Sequence, residues 1–213
     1  MNRNIIILAA VLGLLMNTLP APAANIPIPS LPFTITAPGT YVLTSDLTSS
    51  AVGNAISIAM GIQGPVVVDL RGFTITGPGE SSIGVSIGLN VPGSAIDTNP
   101  FPITIRNGTI TNFGFGVLAE HKNPPSDITV HKIVFNTSAN SENNSAGVFF
   151  YLVKSSTVSN CTFHGGAYGI KDSFSGGGNR YSNDTFIDPG VCLSVTASNI
   201  VLNHCQFDGP PAN

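Results

Sequence analysis

Tryptophan is absent from the chain and charge is scarce. Asp, Glu, Lys and Arg make up 9% of the 213 residues, eleven acidic against eight basic, for a net of −3. So few cations leave no basic footprint for nucleic acid. Cysteines number three, an odd count that cannot pair off completely within one chain. His121, His131, His164 and His204 show no ligand spacing and the acidic residues do not cluster, so neither zinc nor calcium has an evident site and no cofactor is expected. Helical periodicity is missing throughout the sequence after the N-terminus.

The N-terminal segment "MNRNIIILAAVLGLLMNTLPAPAANIP" places Arg3 ahead of an apolar core from Ile5 to Leu15, followed by small residues. That is the layout of a secretory signal peptide, and the core is too short to span a bilayer. Ala21 and Ala23 satisfy the A-x-A pattern, so residues 1–23 are expected to be removed and the remainder to be secreted or periplasmic. No later apolar run reaches spanning length, so no membrane span is expected after cleavage.

What the chain does have is self-similarity. An apolar pair five residues apart recurs as Leu70/Ile75, Ile105/Ile110, Val130/Phe135, Val158/Phe163, Tyr181/Phe186 and Leu202/Phe207. Within each pair stands a bend residue: Gly72, Asn107, Lys132, Asn160, Asn183 or His204. Gly and Asn tolerate the left-handed backbone of a sharp corner; Lys132 and His204 break that pattern. A second column follows, formed by Ala55-Ile56, Gly84-Val85, Gly116-Val117, Gly147-Val148, Gly169-Ile170 and Gly190-Val191. Short strands with period-two alternation, recurring once per unit, predict a coil that stacks parallel strands about 4.8 Å apart.

The stretches "GPVVVDLRGFTITG", "ITIRNGTITNFGFGV" and "VSNCTFHGGAYGI", with the lead-in "ITAPGTYVLTSDLT", resemble the coils of right-handed parallel β-helix proteins of the pectin-lyase-like superfamily, secreted bacterial type. The resemblance implies an all-β solenoid of about seven coils: a lead-in and first coil over 24–54, further coils over 55–208 and a tail at 209–213. It implies that the bends join the second and third sheets, and that the outer face of the first sheet carries any substrate groove. Function does not follow from the fold alone.

Alternation then places Ser57/Ala59, Ser86/Gly88, Leu118/Glu120, Phe149/Tyr151, Lys171/Ser173 and Cys192/Ser194 outward on the first sheet. Glu120 and Tyr151 are the candidate catalytic pair, one an acid or base and the other a phenol. Phe149 and Lys171 are candidates to bind a sugar by stacking and charge, with the corners 120–127 and 136–146 as walls. A second outward column, Arg71, Arg106 and His131, offers cations for an acidic polysaccharide. The eleven acids put no two carboxylates side by side on that first-sheet face, as glycoside hydrolysis requires, and no polygalacturonase-like motif appears.

Cys161 and Cys205 are expected in one inward column two turns apart with Asp184 between them, too far for a bridge, and Cys192 on another sheet. The inward Asp184 needs a partner, for which Asn160 or Asn183 is the nearest candidate. The expectations for function are polysaccharide binding on the first sheet, or modification there by a lyase, epimerase or glycosidase; alternatively a non-catalytic structural, adhesive or assembly module at the cell surface, or a truncated inactive member, with self-association or partner docking at its C-terminal coil.

Overall fold

Runs such as Val66-Val67-Val68 and Ile103-Thr104-Ile105 are β-branched and favour extended backbone, while Gly, Asn and Asp punctuate them and supply corners. The computed structural model describes residues 24–89, 101–120, 127–138, 144–174, 176–196 and 198–208. The proposed signal segment 1–23 and the tail 209–213 lie outside the described residues, as do 121–126 and 139–143 of the two long corners. Within them the chain forms a right-handed parallel β-helix of about six turns, close to the seven expected, and no helix.

Each turn passes through three sheets. The first sheet stacks Phe33–Ile35, Asn54–Ala59, the later part of Thr74–Leu89, the end of Ile103–Glu120, Ala146–Tyr151, Tyr168–Ser173 and Val191–Val195. The second begins with Ile26–Ile28 and Gly39–Leu43 and ends with Thr157–Ser159, Arg180–Ser182 and Val201–Asn203. The third runs from Leu47–Thr48 to Thr162–Gly165, Thr185–Ile187 and Gln206–Asp208. All pairings are parallel, so every inward residue rests on its counterpart in the neighbouring turn.

The second-sheet file reads Val68, Ile105, Val130, Val158, Tyr181 and Leu202. The third-sheet file ends in four phenylalanines, Phe135, Phe163, Phe186 and Phe207, whose rings stack with centroids 5.0, 4.9 and 5.2 Å apart and planes within 10°. Full burial of each such side chain contributes about 1.5–3 kcal/mol.

Two members of the predicted files are displaced. Val68, not Leu70, stands beneath Ile105, because Val68 and Ile75 are seven residues apart where the later pairs are five. The longer corner of that turn holds Leu70 and Arg71. In the last turn Leu193, not Val191, continues the file of Ile170, and Val191 pairs with Tyr168 and is 43% exposed. The connection from Phe186 to Leu193 has the same length as that from Phe163 to Ile170, which leaves Gly190 in the corner, bonded to Gly166.

The bend column is left-handed at every later turn: φ is 59° at Asn107, 53° at Lys132, 55° at Asn160, 54° at Asn183 and 53° at His204. Corner geometry therefore overrides residue preference at Lys132 and His204. The backbone ladder continues through the corner, as in the bonds from Asn160 N–H to Ser182 O (3.0 Å) and from Asn183 N–H to Asn203 O (2.9 Å).

The glycine column serves the phenylalanine file. A Cβ at Gly116, Gly147 or Gly169 would stand 2.4 Å from Cδ1 of Phe135, Phe163 or Phe186 respectively. Each glycine thus opens the space that the ring of the following turn fills. Cys192 occupies the glycine position of the last turn, inward of where the alternation count placed it.

Candidate functional site

The outer face of the first sheet brings together the aromatic and charged residues expected there. Register pairs Leu118 with Phe149 and Phe149 with Lys171, and pairs Glu120 with Tyr151 and Tyr151 with Ser173. Glu120 and Tyr151 therefore stand on adjacent rungs, about 4.8 Å apart along the stack, and Lys171 sits beside Phe149.

More rings gather there than alternation predicted. Phe115 stacks on Phe149 with centroids 5.7 Å apart and planes at 29°. Phe149 meets Tyr151 edge-on at 6.4 Å, and Tyr151 meets Phe174 edge-on at 5.8 Å. The four rings cross the sheet diagonally, from the start of one rung to beyond the end of another two turns on. The Lys171 ammonium lies 5.1 Å from the Phe149 ring centre and 4.9 Å from that of Tyr168, and donates to Asn144 Oδ1 at 2.6 Å. Such cation–π contacts contribute about 0.5–2 kcal/mol each, depending on exposure.

Phe115, Tyr168 and Phe174 escaped the sequence count for physical reasons. Phe115 and Tyr168 lie two residues before Val117 and Ile170, so strict alternation sends them inward. They stand at the corner where the chain has not yet settled into the pleat, and both rings remain half-exposed. Phe174 lies past the last strand residue, where period-two counting stops.

The second candidate column is rearranged. Asp69, not Arg71, is the rung partner of Arg106, which pairs in turn with His131. Arg71 is exposed in the longer corner with φ 52°. The column is therefore an ion pair followed by a histidine rather than three cations. Arg106 Nε donates to Asp69 Oδ2 at 2.9 Å, while Asp69 Oδ1 accepts from Asn107 Nδ2 at 3.1 Å and from Arg71 N–H at 3.0 Å. Partial burial alone would raise the Asp69 pKa; the three hydrogen bonds and the guanidinium charge outweigh it and hold the carboxyl below its usual range. His131 Nδ1 lies 3.0 Å from Ser159 Oγ.

The interior of the later turns is polar, which sequence reading found only in part. Asp184 lies in the file between Cys161 and Cys205, as expected. Its Oδ1 accepts from Cys161 N–H at 2.8 Å, not from Asn160 or Asn183, and its buried Oδ2 has no partner among the described residues. Burial raises the Asp184 pKa to about 6 despite its backbone hydrogen bonds. Asp172, of the same parity as Ile170, points inward beneath Lys171 and accepts from the Tyr181 hydroxyl and from Asn179 Nδ2. Burial, then the charge of Asp172, pushes the Tyr181 hydroxyl far up. All three cysteines are free thiols. Burial and the neighbouring Asp184 push Cys161 up to about 12, so it is inert as a nucleophile. Cys192 is half-buried and also raised by burial.

A polar cleft of about 370 Å³ lies at the corner from the third sheet to the first, lined by Glu80, Ser81, Asn112 and Ser138 among others. Asn112 has φ 58° there, donates to Gly77 O at 2.7 Å and accepts from Ser138 Oγ at 2.6 Å. Its polar groups are already committed to shaping the corner.

Neither a protein-family model, nor a curated protein, nor a solved structure matches the chain.

Proposed function

We propose that the protein is an exported β-helix of the pectin-lyase-like kind that binds a polysaccharide on the outer face of its first sheet. The reading is supported chiefly by one observation: the diagonal of half-buried Phe115, Phe149 and Tyr151 and exposed Phe174 on the outer side of one sheet, with Lys171 set between two aromatic rings. Sugar rings pack their apolar faces on aromatic side chains and direct hydroxyls to groups at the rim, here Glu120, the Tyr151 hydroxyl and Asn144. Glu120 is the acid or base available to any chemistry on that face. A second carboxylate at hydrolytic distance would have to come from outside the strand, because Asp172 points into the core. Binding is therefore the primary activity proposed.

A glycan array tests this reading. Wild type should retain a polysaccharide that the Glu120→Ala/Tyr151→Ala double variant loses; equal binding by both would remove the site.

A second reading, self-association or docking through the C-terminal coil, draws on the exposure of Leu202 (48%) and Phe207 (51%), both members of otherwise buried files. Light scattering tests it: a monodisperse monomer over a wide concentration range counts against it.

A further inference from the structure

We infer that the last described lap, from Val191 to Asp208, is a pH-dependent latch, seated on the rod while Asp184 is protonated and released by local opening once Asp184 ionises. The latch is independent of the polysaccharide reading and lies beyond it.

This lap rests on the most polar layer of the interior. Register puts Val195 over Asp172, Leu202 over Tyr181 and Cys205 over Asp184. The residues beneath are fully buried, whereas Val195 and Cys205 are half-buried and Leu202 is 48% exposed. The polar residues themselves hold the lap by their backbone carbonyls. Thr196 N–H donates to Asp172 O at 2.9 Å, Val201 N–H to Asn179 O at 3.0 Å and Gln206 N–H to Asp184 O at 2.8 Å. A lap with few buried apolar groups opens at a lower free energy than the middle of a stack. Lifting it uncovers Asp184.

A charge in that layer has no counterion. Asp184 faces Cys161 from the lap below and Cys205 from the lap above. On its own lap it borders Tyr181, whose hydroxyl donates to Asp172 of the first sheet. Among the described residues no Lys, Arg or His is buried. Asp184 Oδ1 accepts from Cys161 N–H at 2.8 Å, and Oδ2 has no partner among the described residues. A neutral carboxyl is tolerated there at modest cost; a carboxylate with one oxygen buried and unbonded is not, and opening the lap is the shortest route to hydrating it.

Burial raises the Asp184 pKa to about 6 from its ordinary 3.8. A raised folded value means that its support for the seated lap is fully present below pH 3.8 and is lost as pH rises through about 6. The switch sets which surface ends the rod. Seated, the end presents Leu202 and Phe207; released, it presents Tyr181 and Phe186 of the lap beneath.

Hydrogen exchange of the full chain between about pH 4 and 7, each rate divided by its intrinsic value, tests the latch. The opening constant at the Val201 and Gln206 amides should rise on the order of fiftyfold in wild type over that range. In Asp184→Asn it should change less than about threefold. Protection at Ile105 and Ile110, in the middle of the rod, should stay at least about tenfold higher at every pH. A flat wild-type profile, or the same rise in Asp184→Asn, overturns the switch. Equal protection in the last lap and at mid-rod means one global opening and overturns the latch. Should Asp184→Asn fail to fold, the wild-type profile decides alone: a rise that levels off near neutral pH supports the latch, and a flat one overturns it.

Discussion

The early and late turns of the solenoid share one backbone but solve the interior differently. In the turn built from Val66–Asp69 and the next, the facing interior residues are Val68, Ile75, Ile105 and Ile110, and the carboxylate of Asp69 stays outside with an arginine. In the two turns from Thr157 to Val195, the interior holds Cys161 and Asp172, then Asn179, Tyr181 and Asp184. In a stack each turn touches only its neighbours, so stability is a sum of local terms. The difference teaches where it is concentrated: the apolar turns hold the rod together, and the late turns carry polar groups whose satisfaction depends on their exact neighbours and on pH.

The largest expected contrast lies within the phenylalanine file. Phe163→Ala, in the fully buried middle, should cost about 3–5 kcal/mol, whereas Phe207→Ala at the half-exposed end should cost roughly half as much or less. Equal denaturant midpoints for the two variants would show that the end is as well covered as the middle.

Asp184 should give the next largest effect, and its sign is opposite to the usual acid. Its folded pKa of about 6 lies above the ordinary value of 3.8, so its contribution is fully present below pH 3.8 and is lost as pH rises through 6. The loss amounts to about 3 kcal/mol. Asp184→Asn should flatten the stability profile between about pH 4 and 7; an unchanged slope would mean the carboxyl finds a partner in solution.

Gly147→Ala sharpens the comparison by overfilling the packed region. Its Cβ would stand 2.4 Å from Phe163 Cδ1 and 2.9 Å from Gly169 O. Unfolding experiments should show a loss of about 1–3 kcal/mol, partly recovered by adding Phe163→Leu.

Asp69→Asn should have the smallest effect, below about 1 kcal/mol, because the Arg106 side chain is 42% exposed. Its pH dependence mirrors that of Asp184: with a lowered pKa, its contribution is present above the ordinary carboxylate range and lost as pH falls. Titrating both variants separates the two carboxylates.

The stacking of turns was legible because it depends on repeated residue types: the apolar pairs, the Asn corners and the Gly column each recur. Reading failed where the repeat changed length. Val68 rather than Leu70 fills the file because a seven-residue corner replaces the five-residue spacing there, and Asp69 rather than Arg71 consequently stands in the outward column. The site was half legible. Glu120, Phe149, Tyr151 and Lys171 follow from alternation within a strand, but Phe115, Tyr168 and Phe174 belong to corners, where side-chain direction is set by local backbone rather than by period. Asp172 could have been found, since it shares parity with Ile170; its partners Asn179 and Tyr181 come from the next sheet and no spacing announces them.

The fit between glycine and phenylalanine has a consequence for how such a rod can be inherited. The recess left by Gly116, Gly147 or Gly169 belongs to one lap, and the ring that fills it belongs to the lap after. A segment copied from bend to bend carries one ring and one recess: its ring fills the recess of the lap before, and its own recess receives the ring of the lap after. Whole laps can therefore be added without a gap or a clash, whereas a swap that changes a ring without the glycine before it breaks the fit.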